Sequence, residues 1–244
     1  MKRIAYITLA AIALLLLPSC RIVRISDELN EKALQEGFNR NGESSSKGIT
    51  ASNNYITRED VTGEFHSLTC NLPGDVIYTP GDCAVKINAP DNVLDYVSVT
   101  NDNGTLQIKS NLGRIRNLKK ITITVSSPVL ESVNFNGAVD FNAPDGITAL
   151  SFDAVVNGAG DIDIDGLEAS EVKVTVNGAG DAKINQIDCD VLTVSINGAG
   201  DAVLAGKSGS AELSISGAGD IDARGLECAD INSRVRGVGS IRKP

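Results

Sequence analysis

The chain lacks tryptophan, has little of the other aromatic residues, and contains a single histidine. Aromatic residues make up 4% of its 244 residues, and the one histidine is His66. A sugar-binding site built on stacked aromatic rings is poorly served by this composition, and a metal site built on a pair of histidines is excluded. The core must therefore be filled by Val, Ile, Leu and Ala.

The chain is also poor in positive charge. It has 22 Lys and Arg against 31 Asp and Glu, which gives a formal net charge of -9. Binding to nucleic acids and other polyanions depends on clustered Lys and Arg. We therefore expect no nucleic-acid partner.

Histidine-dependent catalysis has one candidate residue. His66 lies in the strand-like segment from Glu64 to Ser67, which carries no recognisable nucleophile motif. We expect a surface histidine on a strand, with no catalytic residue and no metal site. No cofactor is expected either, since the Gly-Ala-Gly segments described below are not followed by the helix of a dinucleotide-binding loop.

The N-terminus has the pattern of an export signal. Residues 1–3 are basic at two positions, residues 4–17 are almost wholly apolar, and Leu-Pro-Ser-Cys ends the run at Cys20. The apolar run is short for a transmembrane helix. Its ending resembles a bacterial lipobox, so we expect residues 1–19 to be removed and Cys20 to be lipidated. The alternative is an ordinary cleaved signal with a chance cysteine.

Two further regions follow the signal. Residues 20–58 contain Asn- and Ser-rich stretches and are predicted to be a flexible tether. From residue 59 to 244, short strand-like runs alternate with Pro-Gly and Asn-Gly turns, which predicts one folded β domain. Cys70 and Cys83 flank a Pro-Gly-rich, hairpin-like stretch, and in an exported protein they are candidates for a disulfide.

A repeat of about 20 residues occupies the C-terminal half. Its marker is Asn-Gly-Ala-Gly-Asp, and six copies, some with substitutions, are spaced 21, 20, 20, 19 and 20 residues apart. Alternating apolar residues at period two between the markers predict strands, and one unit cannot bury its apolar face alone. Stacked units can, so the repeat predicts a parallel β-solenoid. The markers begin at Asn136, Asn157, Asn177, Asn197, Ser216 and Arg236.

Aligning the units predicts which side chains point inward. One column contains Val172, Leu192, Ala211 and Ile231, and parallel columns run through Val174, Val176 and Ile164. The alanines of the marker are predicted to form another inward column. Counted over residues 59–244, the solenoid would have about nine or ten coils.

The two distal cysteines are predicted to share one column of small residues. Cys189 and Cys228 each lie twelve residues after the start of a marker, where other units have Ala169 and Gly209. Two coils apart, the cysteines would be roughly 9.6 Å from each other along the axis, too far for a disulfide. We expect them to be unpaired and buried.

The marker itself has a structural and a functional interpretation. Its glycines allow positive φ and close approach of neighbouring coils, and its asparagines can stack as an amide ladder. Its aspartates form a row that could bind a cation or another ligand, or could accept hydrogen bonds from backbone N–H groups at the turn. This candidate ladder comprises Asp140, Asp161, Asp181, Asp201 and Asp220.

Together these segments resemble the head GIN domain family, whose members are described as autotransporter adhesins. The resemblance covers residues 59–241 and rests on the repeated Asn-Gly-Ala-Gly-Asp and on strands such as Val61 to Ser67 and Gly104 to Ile108. It implies an all-β, right-handed, single-stranded parallel β-helix. It also implies an exported lipoprotein of Bacteroidetes-type bacteria with an adhesive or surface-associated role.

We therefore expect a non-catalytic cell-envelope lipoprotein, anchored to the membrane through Cys20, with a glycan or protein ligand on the solenoid face. The outer membrane is the expected location, with its periplasmic and surface sides both open. One alternative is a carbohydrate-active β-helix enzyme, although basic residues are sparse from 136 to 235 and every outward face has carboxylates. Another is a purely structural envelope protein.

Overall fold

A computed structural model describes residues 48–244, and the predicted signal, Cys20 and most of the predicted tether lie outside them. The described chain folds as a β-solenoid of about six turns, which confirms the predicted fold class. Its one helix, α1, is short (Asp91–Leu94). This part of the chain contains no helix that is long and apolar enough to span a membrane.

The strands fall into two groups. The first precedes or begins the repeat: β1 (Ile49–Thr50), β2 (Tyr55–Asp60), β3 (Ser67–Cys70), β4 (Gly74–Pro80), β5 (Ala84–Pro90), β6 (Val97–Asp102), β7 (Thr105–Ser110), β8 (Ile115–Arg116), β9 (Thr122–Ser127) and β10 (Ser132–Ala143). The second forms the repeated coils: β11 (Ile147–Thr148), β12 (Ser151–Ala159), β13 (Ile162–Ile164), β14 (Leu167–Ala179), β15 (Ala182–Ala199), β16 (Ala202–Ala218), β17 (Ile221–Val238) and β18 (Ile241–Arg242).

The repeated coils stack in parallel and in the predicted register. Strands β10, β12, β14, β15, β16 and β17 pair in that order, and the marker of each coil lies on the marker of the next. Val172 pairs with Leu192, which pairs with Ala211, and Ala211 pairs with Ile231. The inward columns through Val174, Val176 and Ile164 are confirmed by the same ladders.

The solenoid has fewer turns than the sequence suggested, because several early strands form antiparallel pairs. β2 pairs with β5, β5 with β9, and β6 with β7 in antiparallel ladders. Only β3, β4, β7 and β9 add parallel rungs below β10. Residues folded back as hairpins add no coil, so the expectation of nine or ten coils was wrong.

The folded part also begins earlier than residue 59. β1 pairs with β8, and β2, which starts at Tyr55, pairs with β5. Residue 59 lies inside β2, so the predicted boundary between tether and domain falls within a strand. The Asn-rich sequence around Asn53 and Asn54 concealed this, because those residues form the turn between β1 and β2.

The side chains that fill the core become smaller along the axis of the solenoid. Its largest buried side chains lie in the early coils and include Tyr78, Phe135, Phe141 and Phe152. The rings of Phe135 and Phe141 lie with their centroids 5.3 Å apart. From β14 onward, Val, Ile, Leu and Ala fill the interior, as the composition predicted.

The candidate disulfide between Cys70 and Cys83 is not formed, and both thiols are free. Cys70 ends β3 in the core, whereas Cys83 lies beyond the far end of β4. A seven-residue strand extends by roughly 20 Å, so the two cysteines lie beyond opposite ends of β4. Burial raises the pKa of the Cys70 thiol to about 11.

The distal cysteines share one column, with one corrected member. Ala169 pairs with Cys189, Cys189 with Ser208, and Ser208 with Cys228. The predicted member Gly209 is displaced by one position, because a register shift after Ile184 absorbs the residue missing from the 19-residue unit. Both cysteines are free, as predicted; Cys189 is buried and Cys228 is half-buried.

Candidate binding surface

The glycines of the marker allow the coils to stack closely. A Cβ added at Gly178 would lie 2.0 Å from the carbonyl oxygen of Gly158, and one added at Gly180 would lie 2.0 Å from that of Gly160. Gly178 also has a φ of +146°, which is unfavourable for residues with a side chain. A side chain at either position would overlap the backbone of the neighbouring coil, so both rows must be glycine, as the sequence predicted.

The asparagines form the predicted amide ladder. Asn157 donates through Nδ2 to Oδ1 of Asn136 at 3.1 Å, and Asn177 donates in the same way to Asn157 at 2.9 Å. Asn197 continues the ladder onto Asn177 at 3.0 Å. Sequence analysis missed the first rung, Asn71, which accepts from Asn136 at 2.7 Å, because it stands outside any copy of the marker.

The aspartates form a second ladder, with the backbone as donor. The N–H of Asp181 donates to Oδ1 of Asp161 at 2.9 Å, and the same bond links each other aspartate to the next coil, at distances from 2.7 to 3.2 Å. Asp220 instead accepts from the N–H and the hydroxyl of Ser240. These bonds lower the pKa of Asp220, and Arg242 lowers it further. Backbone N–H groups of the next coil thus use one oxygen of each carboxylate, as the structural interpretation of the aspartate row predicted.

The alanines between the two ladders face solvent, so the predicted inward column was wrong. Ala138, Ala159, Ala179, Ala199 and Ala218 pair in register and are all exposed. Alternation continues through the marker, and the inward positions are those of the two glycines. Since a Cβ at either glycine would overlap the neighbouring coil, only the alanine between them can carry a side chain.

Amide, methyl and carboxylate rows therefore run side by side along the axis. We call the surface made by the asparagine ladder, the alanine column and the aspartate ladder the corner face. Its side chains recur once per coil, at the strand spacing of about 4.8 Å. In the described residues, no group of three or more His, Cys, Asp or Glu side chains is arranged to hold a metal ion.

His66 has neighbours but not the geometry of a catalytic triad. Its Nδ1 lies 2.9 Å from Oε2 of Glu131 and 3.3 Å from Oγ of Ser67. A catalytic base needs the nucleophile on one ring nitrogen and the orienting acid on the other. Both partners of His66 share one nitrogen, so this cluster does not activate the serine.

Two open hollows on the described surface lie away from His66. One is lined by residues including Val203, Asp222 and Arg224, and another by residues including Leu150, Glu168 and Cys189. Burial raises the pKa of the Cys189 thiol, although a hydrogen bond with Ser208 opposes this. A thiol of raised pKa is a poor nucleophile, so the second hollow lacks an activated cysteine.

Comparison with known proteins agrees with the geometry. The family model described as "Putative auto-transporter adhesin, head GIN domain" matches residues 64–185 and, in a second overlapping match, residues 171–242. No match was found among the curated proteins.

Two solved structures with a similar fold come from Bacteroides fragilis and Parabacteroides merdae. A putative adhesin from Bacteroides fragilis is 25% identical, with a TM-score of 0.68, over 81% of this chain and 100% of that one. A putative adhesin from Parabacteroides merdae is 21% identical, with a TM-score of 0.72, over 80% of this chain and 82% of that one. The second similarity concerns the fold alone.

Proposed function

Because the chain belongs to the head GIN domain family, we propose that it is a non-catalytic lipoprotein of the cell envelope that binds a ligand through its corner face. The family and the Bacteroides fragilis protein support the broader description, an adhesin-like surface protein. Lipidation at Cys20, the ligand and the membrane side belong to the proposal.

The corner face is the observation that carries the binding role. It presents the same amide, methyl and carboxylate groups in successive coils, so a repeating glycan or an extended peptide could meet equivalent contacts along its length. The asparagine and aspartate side chains are already ordered by hydrogen bonds between coils, which lowers the entropy lost when a ligand binds. The Oδ2 atoms of Asp140, Asp161, Asp181 and Asp201 are the acceptors that remain for such a ligand or for a cation, since that of Asp220 contacts Arg242.

A glycan and matrix-protein array tests this role. The chain should bind one class of ligand saturably, and the triple variant of Ala159, Ala179 and Ala199 to Gln should lose that binding while keeping its melting temperature. These alanines are exposed, so the longer side chains obstruct the face without entering the core.

A matched control places the same three glutamines elsewhere. Ser151, Ser170 and Val191 are exposed outside the marker, and their replacement by Gln should leave binding unchanged. An array with no bound ligand, or equal loss in both variants, would contradict binding through the corner face. Bond cleavage in a bound glycan would instead favour the carbohydrate-active enzyme.

Metabolic labelling with an alkyne fatty acid tests the anchor separately. Cells should label the wild-type chain, and Cys20→Ala should abolish the label. Protease shaving of intact cells then distinguishes a surface-exposed chain, which is degraded, from a periplasmic one, which is protected. Unlabelled wild-type chain would leave the ordinary cleaved signal as the correct interpretation.

A further inference from the structure

One surface of this acidic protein is strongly basic. Residues 103–130 contain five cations and no carboxylate. All five are exposed, and we call them the basic surface: Lys109, Arg114, Arg116, Lys119 and Lys120. The repeated coils are the opposite, since basic residues are sparse among their many aspartates.

The local fold turns these cations outward. Leu112, Ile115 and Leu118 recur at every third position between them and pack partly buried against the core. With the apolar side chains held inward, the intervening Lys and Arg are left on the solvent side. Their arrangement is therefore fixed by β7, which carries Lys109, by β8, and by the segments on either side of β8.

Most of this charge is not neutralised by the protein. Lys120 contacts the carboxylate of Asp75. Within the described residues, no carboxylate lies within ion-pair distance of Lys109, Arg114, Arg116 or Lys119. The repeated coils differ, because Lys173, Lys183, Lys207 and Arg224 each have a carboxylate partner.

The basic surface lies where the N-terminal part of the chain enters the fold. The N–H of Ile49 donates to the carbonyl of Arg114 at 3.0 Å, and that of Ala51 donates to the carbonyl of Arg116 at 2.9 Å. Gly48 lies against Arg114 as well. Only residues 21–47 separate this point from Cys20.

We propose that the basic surface binds the anionic phosphate headgroups of the membrane that carries the anchor. The inference rests on the proposed lipidation of Cys20, which would hold this end of the fold beside the bilayer. One acyl signal gives weak attachment, and a basic patch adds a second attraction of about 1 kcal/mol per Lys or Arg. The acidic coils are repelled by the same headgroups, so the two contacts together direct the solenoid away from the membrane.

Vesicle co-sedimentation tests the contact without the lipid. The chain from residue 20 onward, carrying Cys20→Ser, should bind vesicles containing phosphatidylglycerol and not vesicles of phosphatidylcholine alone. Replacing Lys109, Arg114, Arg116 and Lys119 by Gln should weaken binding by about tenfold or more. Salt should weaken it too, since the Debye length falls to about 3 Å at 1 M.

The matched control removes the same charge from the coils. The variant in which Gln replaces Lys173, Lys183, Lys207 and Arg224 should bind within about twofold of the wild type, because each of these cations is already paired with a carboxylate. It should also stay folded, since exposed ion pairs contribute little to stability. Circular dichroism checks that both variants are folded. Equal binding to both kinds of vesicle, an equal loss in the control, or binding only to a soluble anionic polysaccharide would overturn the proposal.

The outcomes separate this inference from the proposed function. A chain that is labelled at Cys20 in cells but does not bind anionic vesicles refutes the basic contact and leaves the anchor intact. A chain that binds the vesicles but is not labelled refutes the anchor alone.

Discussion

Gly178 and Gly166 differ in the space that a side chain would have. A Cβ on Gly178 would lie 2.0 Å from a backbone oxygen at a φ of +146°, whereas the nearest atom to a Cβ on Gly166 is 3.7 Å away. Gly178→Ala should lower the free energy of unfolding by about 3 kcal/mol or more, because the stacked backbones must separate. Gly166→Ala should change it by less than about 1 kcal/mol.

Urea unfolding of both variants measures this difference. Equal stability of the two variants would contradict the close stacking of the marker, since the same substitution would then be tolerated inside and outside it.

The four described cysteines should differ in reactivity. The buried thiol of Cys70, with its pKa near 11, has about one thiolate in a thousand molecules at pH 8, and should resist alkylation in the folded protein. Cys83 is half-buried and should be modified faster. Mass spectrometry after brief treatment with iodoacetamide gives both rates, and a peptide linked between Cys70 and Cys83 would contradict the structure.

At the scale of elements, β17 is the last long strand of the stack, and β18 pairs only with its first two residues. Arg234 and Arg236 of β17 pair in register with Ser214 and Ser216 of β16. Val235 and Val238 of β17 are exposed. Charged residues on an edge strand prevent pairing with another chain. The arginines therefore make pairing of another chain along this part of β17 unfavourable.

Restoring the residues of the repeat should remove this protection. The double variant Arg234→Ser and Arg236→Asn should self-associate end to end more than the wild type, as measured by analytical ultracentrifugation at increasing concentration. Lys173→Ser with Lys207→Asn removes the same charge from exposed coil positions and should not have this effect. Identical sedimentation of the edge variant and the wild type would show that the arginines do not block association.

The same element should respond to acid. Hydrogen bonds from Arg224 lower the pKa of Asp222 to about 2, from an ordinary value of 3.8. A carboxylate whose pKa is lower in the folded state stabilises the fold above pH 3.8, and this contribution is lost as the pH falls towards 2. Asp222→Asn should therefore lose less melting temperature between pH 4 and pH 2 than the wild type.

Calorimetry across that range, with NMR titration of the Asp222 carboxyl carbon, checks the effect. An inflection near 3.8 for Asp222, or identical melting curves for the two chains, would contradict the proposed pairing with Arg224.

At the scale of the whole molecule, the sequence predicted the features that repeat. Six markers at regular spacing fixed the register of the coils, and with it the columns through Val172 and Ile164. The inward alanine column was wrong because it departed from the period-two alternation: Ala179 lies three residues after the inward Val176, on the outward face. The tight contacts of Gly178 and Gly180 join coils that are far apart in sequence.

The features without a repeat were harder to predict. Nothing in the strand-like run of β5 distinguishes its antiparallel pairing with β2 from another parallel rung. The net charge of -9 concealed five cations that are close in sequence, because a net charge does not say where along the chain the charges lie. Cys70 and Cys83 are near in sequence, but a single extended strand separates them in space.

We propose that ligand binding is distributed over equivalent coils of the corner face. Deleting residues 177–196 removes one complete unit and joins Val176 to Asn197, which preserves the register. The variant should fold, because each coil contacts only its neighbours. The dissociation constant for the ligand found on the array should rise by a modest factor. A folded variant that no longer binds, or one that binds with unchanged affinity, would show a single localised site and contradict the claim.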